Sequence, residues 1–341
     1  MLETPPRCFI GIDPALESFA LSLFHGPNQE QPTTTFSNDF DGFSACRAWL
    51  CEHGATPKET VICVEATGVY AEALCYFLHE HGYRVCVESP HKVKRAFKTA
   101  NKNDPTDARQ IAEYAYRYED ELPLWQPKEA IIEQIRVLLT TRESLVRQLV
   151  TNGNLRKSLQ HKVIQTPAAN TLLGETITHL KAQIKAIEQA IRRLIRQHPT
   201  LSELLTLLVL IPSVGLLLSA HLMVVTDGFQ REVTARQLAA YLGICPYEHT
   251  SGTSVKKPSK SRGYGPPILR KLVYLAAMNL KQHQQKYRRY YARKVAEGKS
   301  GRLVLNNLSN KLLRVICAVV RDRRPYEKTY RSVSPQVLQA A

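Results

Sequence analysis

The sequence lacks the features that mark secreted and membrane proteins. None of its apolar runs approaches the roughly 18 residues that span a bilayer, and its first residues have neither the basic region nor the apolar core of a secretion signal. Its eight cysteines include no CxxC pair, which argues against a disulfide framework and against common zinc modules. We therefore expect a cytoplasmic protein without a membrane span, whose cysteines pack as reduced thiols.

Acidic residues are scarce in the second part of the chain. Residues 1–120 carry 11 basic and 17 acidic side chains, a net charge of −6, whereas residues 121–341 carry 35 and 13, a net charge of +22. Such a basic excess favours a polyanionic partner, above all nucleic acid. The total of 341 residues predicts about two domains. The charge division predicts that the acidic part holds cations while the basic part contacts nucleic acid.

Residues 1–120 have the pattern of an α/β domain. Apolar runs at 8–15, 19–26 and 33–40 predict three strands, and later strands are predicted at 61–68 and 84–90. Between the later strands, apolar residues are spaced as in helices, so the predicted order is β-β-β-α-β-α-β-α. The run VICVEATG is typical of a strand that is covered on both faces. We expect one mixed sheet with helices packed against it.

Four acids occupy particular places in this order. Asp13 ends the first predicted strand, Glu65 lies near the end of the fourth, and Asp104 and Asp107 begin a helix at about 105–117. Adjacent parallel strands place the first two side by side, and helical positions i and i+3 share a face. Carboxylates in such a group suit Mg²⁺ or Mn²⁺, and paired ions assist phosphoryl transfer. The alternative is that Asp104 and Asp107 cap a helix and Asp13 ends a strand.

The basic part begins with a linker, LPLWQP, and a helical arm. Apolar residues at steps of four and three over 131–149 and 173–194 predict a coiled-coil arm within residues 121–200. Arg142 occupies one inward position of the first stretch. The arm either joins two protomers or folds back as a hairpin within one chain. Residues 201–330 are predicted to form a mostly α domain, followed by a tail at 331–341.

Two segments of this last domain suit nucleic-acid contacts. The stretch LIPSVGLLLSAHLM resembles a helix-hairpin-helix, whose backbone N–H groups grip phosphate, although Ser213 stands where a glycine is usual. Between Gly243 and Arg302 there are 14 basic and two acidic residues, and 246–265 is predicted to be a flexible basic loop. The cations expected to contact nucleic acid are Lys256, Lys257, Lys260, Arg262, Arg270 and Lys271. Farther on, three tyrosines in 281–294 offer rings for stacking, or the segment is a solvated helix face.

The motifs together resemble a known family. GIDPA, CVEATGVY and NKNDPTDARQIA are similar to the three acidic motifs of the DEDD transposases of insertion sequences, the IS110 family, whose first domain is RuvC-like and belongs to the ribonuclease H-like superfamily. LGICPYEHTSG and KSRGYGPPILRKLVY resemble motifs of the family's C-terminal transposase domain. The resemblance covers about residues 8–115 and 205–320.

This resemblance implies a transposase, a DNA recombinase that excises and inserts its own insertion sequence. It implies that Ser251, before the glycine of its motif, attacks DNA and becomes covalently linked to it. It also implies that Asp13, Glu65, Asp104 and Asp107 bind Mg²⁺ or Mn²⁺. The implied partners are double-stranded donor and target DNA, a structured bridge RNA, and further copies in a dimer or dimer of dimers. We expect such a protein near the nucleoid in the cytoplasm of a prokaryote.

Two other functions fit the residues alone. A metal-dependent, structure-selective DNA nuclease would use water as the nucleophile and would not need Ser251. A nucleic-acid-binding protein without catalysis would use the acids only as caps and turn residues. His249 is either a phosphate contact or incidental, and its role is left open.

Overall fold

The structure is a computed structural model that describes residues 8–97, 104–251, 255–261 and 263–327. The side chains of residues 104, 105 and 248–260 lie outside this description, as do Arg262 and the tail. The chain divides into two compact units, Met1–Pro127 and Lys128–Ala341. The helical arm therefore belongs to the same unit as the carboxyl-terminal helices.

The first unit contains a five-stranded mixed sheet. Its strands are β1 (Cys8–Pro14), β2 (Ser18–Phe24), β3 (Thr33–Ser37), β4 (Thr60–Glu65) and β5 (Arg84–Glu88). The spatial order is β3-β2-β1-β4-β5; the pairs β1–β2 and β2–β3 are antiparallel, and β1–β4 and β4–β5 are parallel. Two hairpin connections followed by helical crossovers produce this arrangement. The predicted mixed sheet is confirmed, and its order is consistent with a ribonuclease H-like fold.

Helices cover both faces of the sheet. Helices α1 (Phe40–Glu52) and α2 (Glu72–Glu80) share a core with one face, to which Ile10 and Ile12 belong. Helices α3 (Pro90–Ala96) and α4 (Asp104–Arg117) cover the other face, to which Phe9 and Cys63 belong. Alternate residues of a strand point to opposite faces, so both sets are apolar. The side chain of Asp13 therefore emerges on the face that α4 covers.

Helix α4 lies unusually close to β1 because of Gly11. A Cβ atom at this position would lie 2.1 Å from the carbonyl oxygen of Ala108 and 2.2 Å from the amide nitrogen of Ala112. Only a hydrogen atom fits at this position, and the small side chains of Ala108 and Ala112 allow the helix to approach the strand. The glycine of the GID motif thus sets the distance between the strand that carries Asp13 and the helix that carries Asp107.

We expect Gly11→Ala to lower the free energy of unfolding by about 2–3 kcal/mol, because an added methyl group must displace helix backbone. Chemical denaturation followed by circular dichroism measures this change. Gly153→Ala is the matched control: its Cβ meets no atom within 4 Å, and alanine favours the helix interior by about 0.5–1 kcal/mol. Equal stability of the two variants would contradict the tight contact.

The second unit begins with an antiparallel helical hairpin. Helices α5 (Ala130–Gln160) and α6 (Pro167–Gln197) pack against each other, so the structure shows the hairpin within one chain. Arg142, at an inward position, binds Glu188 of α6 at 2.7 Å and Glu143 at 2.9 Å. This ion pairing explains why a cation is tolerated in the seam: its charge is neutralised across the hairpin.

The rest of this unit is a helical core. Its helices are α7 (Pro199–Val209), α8 (Leu216–Val225), α9 (Ala235–Tyr241), α10 (Pro267–His283), α11 (Gln285–Ala296) and α12 (Gly301–Asp322). In the described part of the chain, α12 alone is long and apolar enough to cross a membrane. It is mostly buried among α7, α9 and α10, which accounts for its composition.

The basic segment at 246–265 differs from the prediction. We expected a flexible loop, but the structure forms two antiparallel strands, β6 (Pro246–Ser251) and β7 (Val255–Ser261). The pairing is irregular between Tyr247 and His249. The sequence did not predict this hairpin, because its strands consist largely of polar residues and prolines and lack the alternation of apolar residues that indicates a strand.

The turn before α8 contains a strained residue. Ser213 has a φ of +69°, a left-handed conformation that favours glycine, and its hydroxyl donates a hydrogen bond to Oδ1 of Asn279 at 2.8 Å. The backbone therefore has the form of the glycine-containing motif, with serine in a glycine position.

We expect Ser213→Gly to be more stable than Ser213→Ala by about 1 kcal/mol, since both lose the hydrogen bond but only glycine relieves the left-handed strain. Thermal and urea unfolding of the two variants measure the difference. Ser219→Ala is a control in α8, where φ is helical. A more stable alanine variant would disprove the strain.

Candidate functional site

Two of the predicted acids are neighbours at one edge of the sheet. The parallel register pairs Ile12 of β1 with Val64 of β4, and Asp13 and Glu65 are the next residue of each strand. Glu65 is buried, whereas Asp13 is partly exposed. Both follow Gly11 and Cys63 by two positions, so both emerge on the face of α4. The structure thus places these two carboxylates side by side.

The start of α4 lies at the same edge. Along β1, the ring of Phe9 contacts Tyr116 at 5.3 Å and Gly11 contacts Ala108 and Ala112, so the helix runs antiparallel to the strand. Two strand residues advance about 6.6 Å, which corresponds to slightly more than one helical turn. Continuing this alignment places Asp13 level with the first turn of α4, where Asp107 lies partly exposed.

A third acid, which the sequence analysis missed, extends the row. Glu88 ends β5 and pairs in register with Glu65, and it is buried. Its carboxylate accepts hydrogen bonds from the amide of Ser89 at 2.8 Å and from Nζ of Lys92 at 2.9 Å. A signal was present in the sequence, since the predicted strand 84–90 has this acid near its end. Glu88 is engaged by the start of α3, so its charge is balanced within the protein.

Two cysteines lie behind these acids in the sheet. Cys63 and Cys86 lie two positions before Glu65 and Glu88, with their sulfur atoms 3.7 Å apart. The neighbouring Cys86 thiol, then burial, and then the charges of the two carboxylates raise the pKa of Cys63 well above its usual value. A protonated thiol is a poor metal ligand. The donors at this edge of the sheet are therefore carboxylate oxygens.

The donor chemistry fits a hard divalent cation. Adjacent carboxylates on one buried edge repel each other, and Mg²⁺ or Mn²⁺ prefers oxygen ligands. Among the described side chains, no group of three or more His, Cys, Asp or Glu residues is close enough to hold a metal ion. The side chain of Asp104, the first residue of α4, lies outside that set. The described acids Asp13, Glu65 and Asp107 therefore do not form such a group, and Asp13 and Glu65 are the two that strand register makes neighbours.

The base of the basic hairpin is held by glycines. Gly243 and Gly265 have φ values of +67° and +115°, and a Cβ atom on either would lie about 2 Å from a backbone oxygen of the facing segment. The guanidinium of Arg270 donates to the carbonyl oxygens of Gly263, Leu242 and Tyr264. Arg270, expected to contact nucleic acid, therefore fixes the two ends of the hairpin through backbone groups.

Ser251 is the last residue of β6. Its backbone pairs with Val255, and the connecting residues 252–254 lie outside the described range. Three of the predicted cations, Lys256, Lys257 and Lys260, are positions of β7, and Lys271 is exposed on α10. The serine thus ends a strand in a strongly basic hairpin, whereas Asp13 and Glu65 belong to the other unit.

The tyrosines of α11 have a different environment from the one expected. The rings of Tyr290 and Tyr291 pack against the apolar cluster of α10 and α12, with Nζ of Lys311 and of Lys281 each 4.2 Å from a ring centre. Tyr287 is half-buried, and burial raises its pKa. These contacts favour anchoring of the helix over base stacking.

Comparisons with known proteins find transposase families and their relatives. Residues 10–164 match a family model of DEDD transposases named for IS110, and residues 205–292 match a model described as "Transposase IS116/IS110/IS902 family". The pilin gene-inverting proteins of Moraxella lacunata and Moraxella bovis are each 28% identical over 327 residues, which are 94% of this chain and 98% of theirs. An uncharacterized 43.6 kDa protein of insertion element IS110 from Streptomyces coelicolor is 31% identical over 176 residues, 50% of this chain and 42% of its own.

Proposed function

Since the chain belongs to the IS110 family of transposases, we propose that it excises and inserts its insertion sequence through a covalent serine–DNA intermediate. The observation that carries the proposal is the placement of Asp13 and Glu65 side by side in one unit, with Ser251 on a basic hairpin in the other. Each unit thus carries residues of a type that phosphoryl transfer uses.

Asp13, Glu65, Asp104 and Asp107 are proposed to hold Mg²⁺ or Mn²⁺. When bound, such an ion stabilises the charge that develops on phosphate oxygens during transfer. The protein contributes the geometry: Gly11 brings α4 close to β1, and the pairing of β1 with β4 aligns the first two acids.

Ser251 is proposed to be the nucleophile. Its hydroxyl oxygen forms a bond to phosphorus, the bond from phosphorus to one deoxyribose oxygen breaks, and that oxygen takes up the proton that the serine loses. The phosphoserine ester conserves the energy of the broken phosphodiester, so rejoining needs no ATP. The sequence accordingly contains no GxxxxGK[ST] motif. The cations of β7, with Arg262 and Lys271, are proposed to orient the DNA strands.

Bridge RNA and further protomers complete the proposal. The net charge of +22 over residues 121–341 is ample for both donor and target DNA and a structured RNA. The exposed part of the α5–α6 hairpin is proposed to join protomers in a dimer or dimer of dimers, so that a serine and an acidic site from different chains act on one phosphate.

The test is to incubate the protein with Mg²⁺ and duplexes carrying the insertion-sequence ends with a nick near the junction. The nick lets a short strand diffuse away, so the covalent species accumulates. We expect a protein–DNA adduct that survives denaturation. Mg²⁺-dependent cleavage without an adduct would instead indicate a nuclease that uses water, and binding without either would indicate a non-catalytic protein.

A further inference from the structure

The second unit has another basic feature, beside the start of the β6–β7 hairpin. A cleft of about 560 Å³ opens among α9, α11 and α12, and Cys245 and Pro246 form part of its wall. The polar side chains of its lining are Arg236, Tyr290, Asn307, Asn310, Lys311 and Arg314. Among the described residues, the lining contains three cations and no acid.

Among the described side chains, these cations have no acidic partner. Within the described part of the chain, Arg236, Lys311 and Arg314 form no ion pair, unlike Arg142, which binds two glutamates. Burial, followed by the charges of Arg314, Lys286, Arg293 and Lys294, lowers the pKa of Lys311. Like charges held this close destabilise the folded chain. An anion in the cleft would remove this repulsion.

The cleft continues into a second depression, which indicates a polymer. Tyr290 and Lys311 line both spaces, and the second one adds Lys286, Arg289 and Arg293. Nζ of Lys311 lies 4.2 Å and the guanidinium carbon of Arg293 lies 5.7 Å from the centre of the Tyr290 ring, which both spaces share. Arg293 also pairs with Glu297 at 3.7 Å. Cations that line two adjoining spaces match successive phosphates better than a single small anion.

From this arrangement, we propose that the cleft binds the sugar–phosphate backbone of a nucleic-acid strand. The inference rests on the proposed function, because it gives the cleft a role relative to Ser251. Strand β6 leads from Pro246 at the cleft to Ser251, five residue steps or about 17 Å. This distance corresponds to about five phosphates along one strand of a duplex. The cleft therefore holds the strand a few nucleotides from the phosphate that the serine attacks.

The test is the paired variant Lys311→Gln/Arg314→Gln. Removing two phosphate contacts should weaken binding about tenfold at 0.15 M salt and reduce the slope of log K against log salt by about 1.8 for duplex DNA. The control Arg47→Gln/Lys58→Gln removes the same charge from exposed positions of the first unit. Circular dichroism checks the folding of both variants. Affinities are measured by fluorescence anisotropy over a salt series.

Two probes distinguish the source of the backbone: a duplex of the insertion-sequence ends, and a transcript of the non-coding segment that flanks the reading frame. If the cleft variant loses affinity only for the duplex, the bound backbone is DNA, and if it loses affinity only for the transcript, the backbone is RNA. Either result supports the proposal that the cleft binds a nucleic-acid strand. Equal losses for the cleft and control pairs would overturn it. Adduct formation at saturating DNA is measured separately. If the unchanged protein forms no adduct, the serine mechanism is refuted. A lower affinity of the cleft variant than of the control variant would still support the cleft in that case.

Discussion

Ser251→Ala should form no denaturation-resistant adduct with nicked insertion-sequence ends, and its recombination should fall by on the order of 10³-fold or more. The reason is that alanine leaves no oxygen to bond to phosphorus, whereas every contact that positions DNA is retained. DNA affinity should therefore change by less than about twofold. Gel electrophoresis of labelled DNA after denaturation measures the adduct, and anisotropy measures binding.

Two matched controls make this result specific. Thr250→Val and Ser259→Ala each remove a hydroxyl from the same hairpin, at positions whose backbone pairs with or belongs to β7. Both variants should keep most of the adduct yield, because the attacking position is unchanged. If Ser251→Ala keeps full activity while one control loses it, the nucleophile has been assigned to the wrong residue.

Glu65→Gln should reduce adduct formation and recombination by about 10²–10³-fold and abolish the response to Mg²⁺. The amide has the shape of the carboxylate but carries no charge, so it is a weak ligand for a hard cation. The folded state should be as stable as before or more so in the absence of metal, because the acids on the adjacent strand ends then repel less. Activity is measured over a Mg²⁺ titration, and stability by urea unfolding with and without the ion.

The control Glu80→Gln makes the same change at an exposed position of α2, on the opposite face of the sheet. It should leave activity and Mg²⁺ dependence unchanged. Asp107→Asn then separates catalysis from capping: a lost ligand lowers activity at unchanged stability, whereas a lost helix-terminal charge lowers stability by about 0.5–1 kcal/mol. Full activity in Glu65→Gln would remove the acidic site from the mechanism.

Local pattern was enough to predict most of the first unit. Apolar runs predicted the strands and their order along the chain, because a strand that is covered on both faces places apolar side chains in each layer of the core. The family motifs also identified Asp13 and Glu65. Glu88 was missed although it ends a strand in the same way, since only the register with Glu65 shows that it extends the row.

The basic hairpin and its surroundings needed tertiary structure. Strands β6 and β7 carry prolines, lysines and hydroxyl residues without apolar alternation, and their ends are fixed by Arg270 and two glycines that approach facing backbone. Likewise, a heptad pattern cannot distinguish a partner in another chain from one in the same chain. The packing of α5 on α6, with Arg142 bound to Glu188, shows the second arrangement.

The sequence by itself determined which residues have the right chemistry: a short set of acids, a serine in a basic segment, and an excess of cations beyond residue 120. Tertiary structure decided which of them are neighbours. It aligned two acids through strand register, allowed α4 to approach through Gly11, and assembled a cleft from cations that are up to 78 residues apart in the chain, Arg236 and Arg314. The physical reason is that residue type and spacing act locally, whereas proximity across a fold depends on the packing of distant segments.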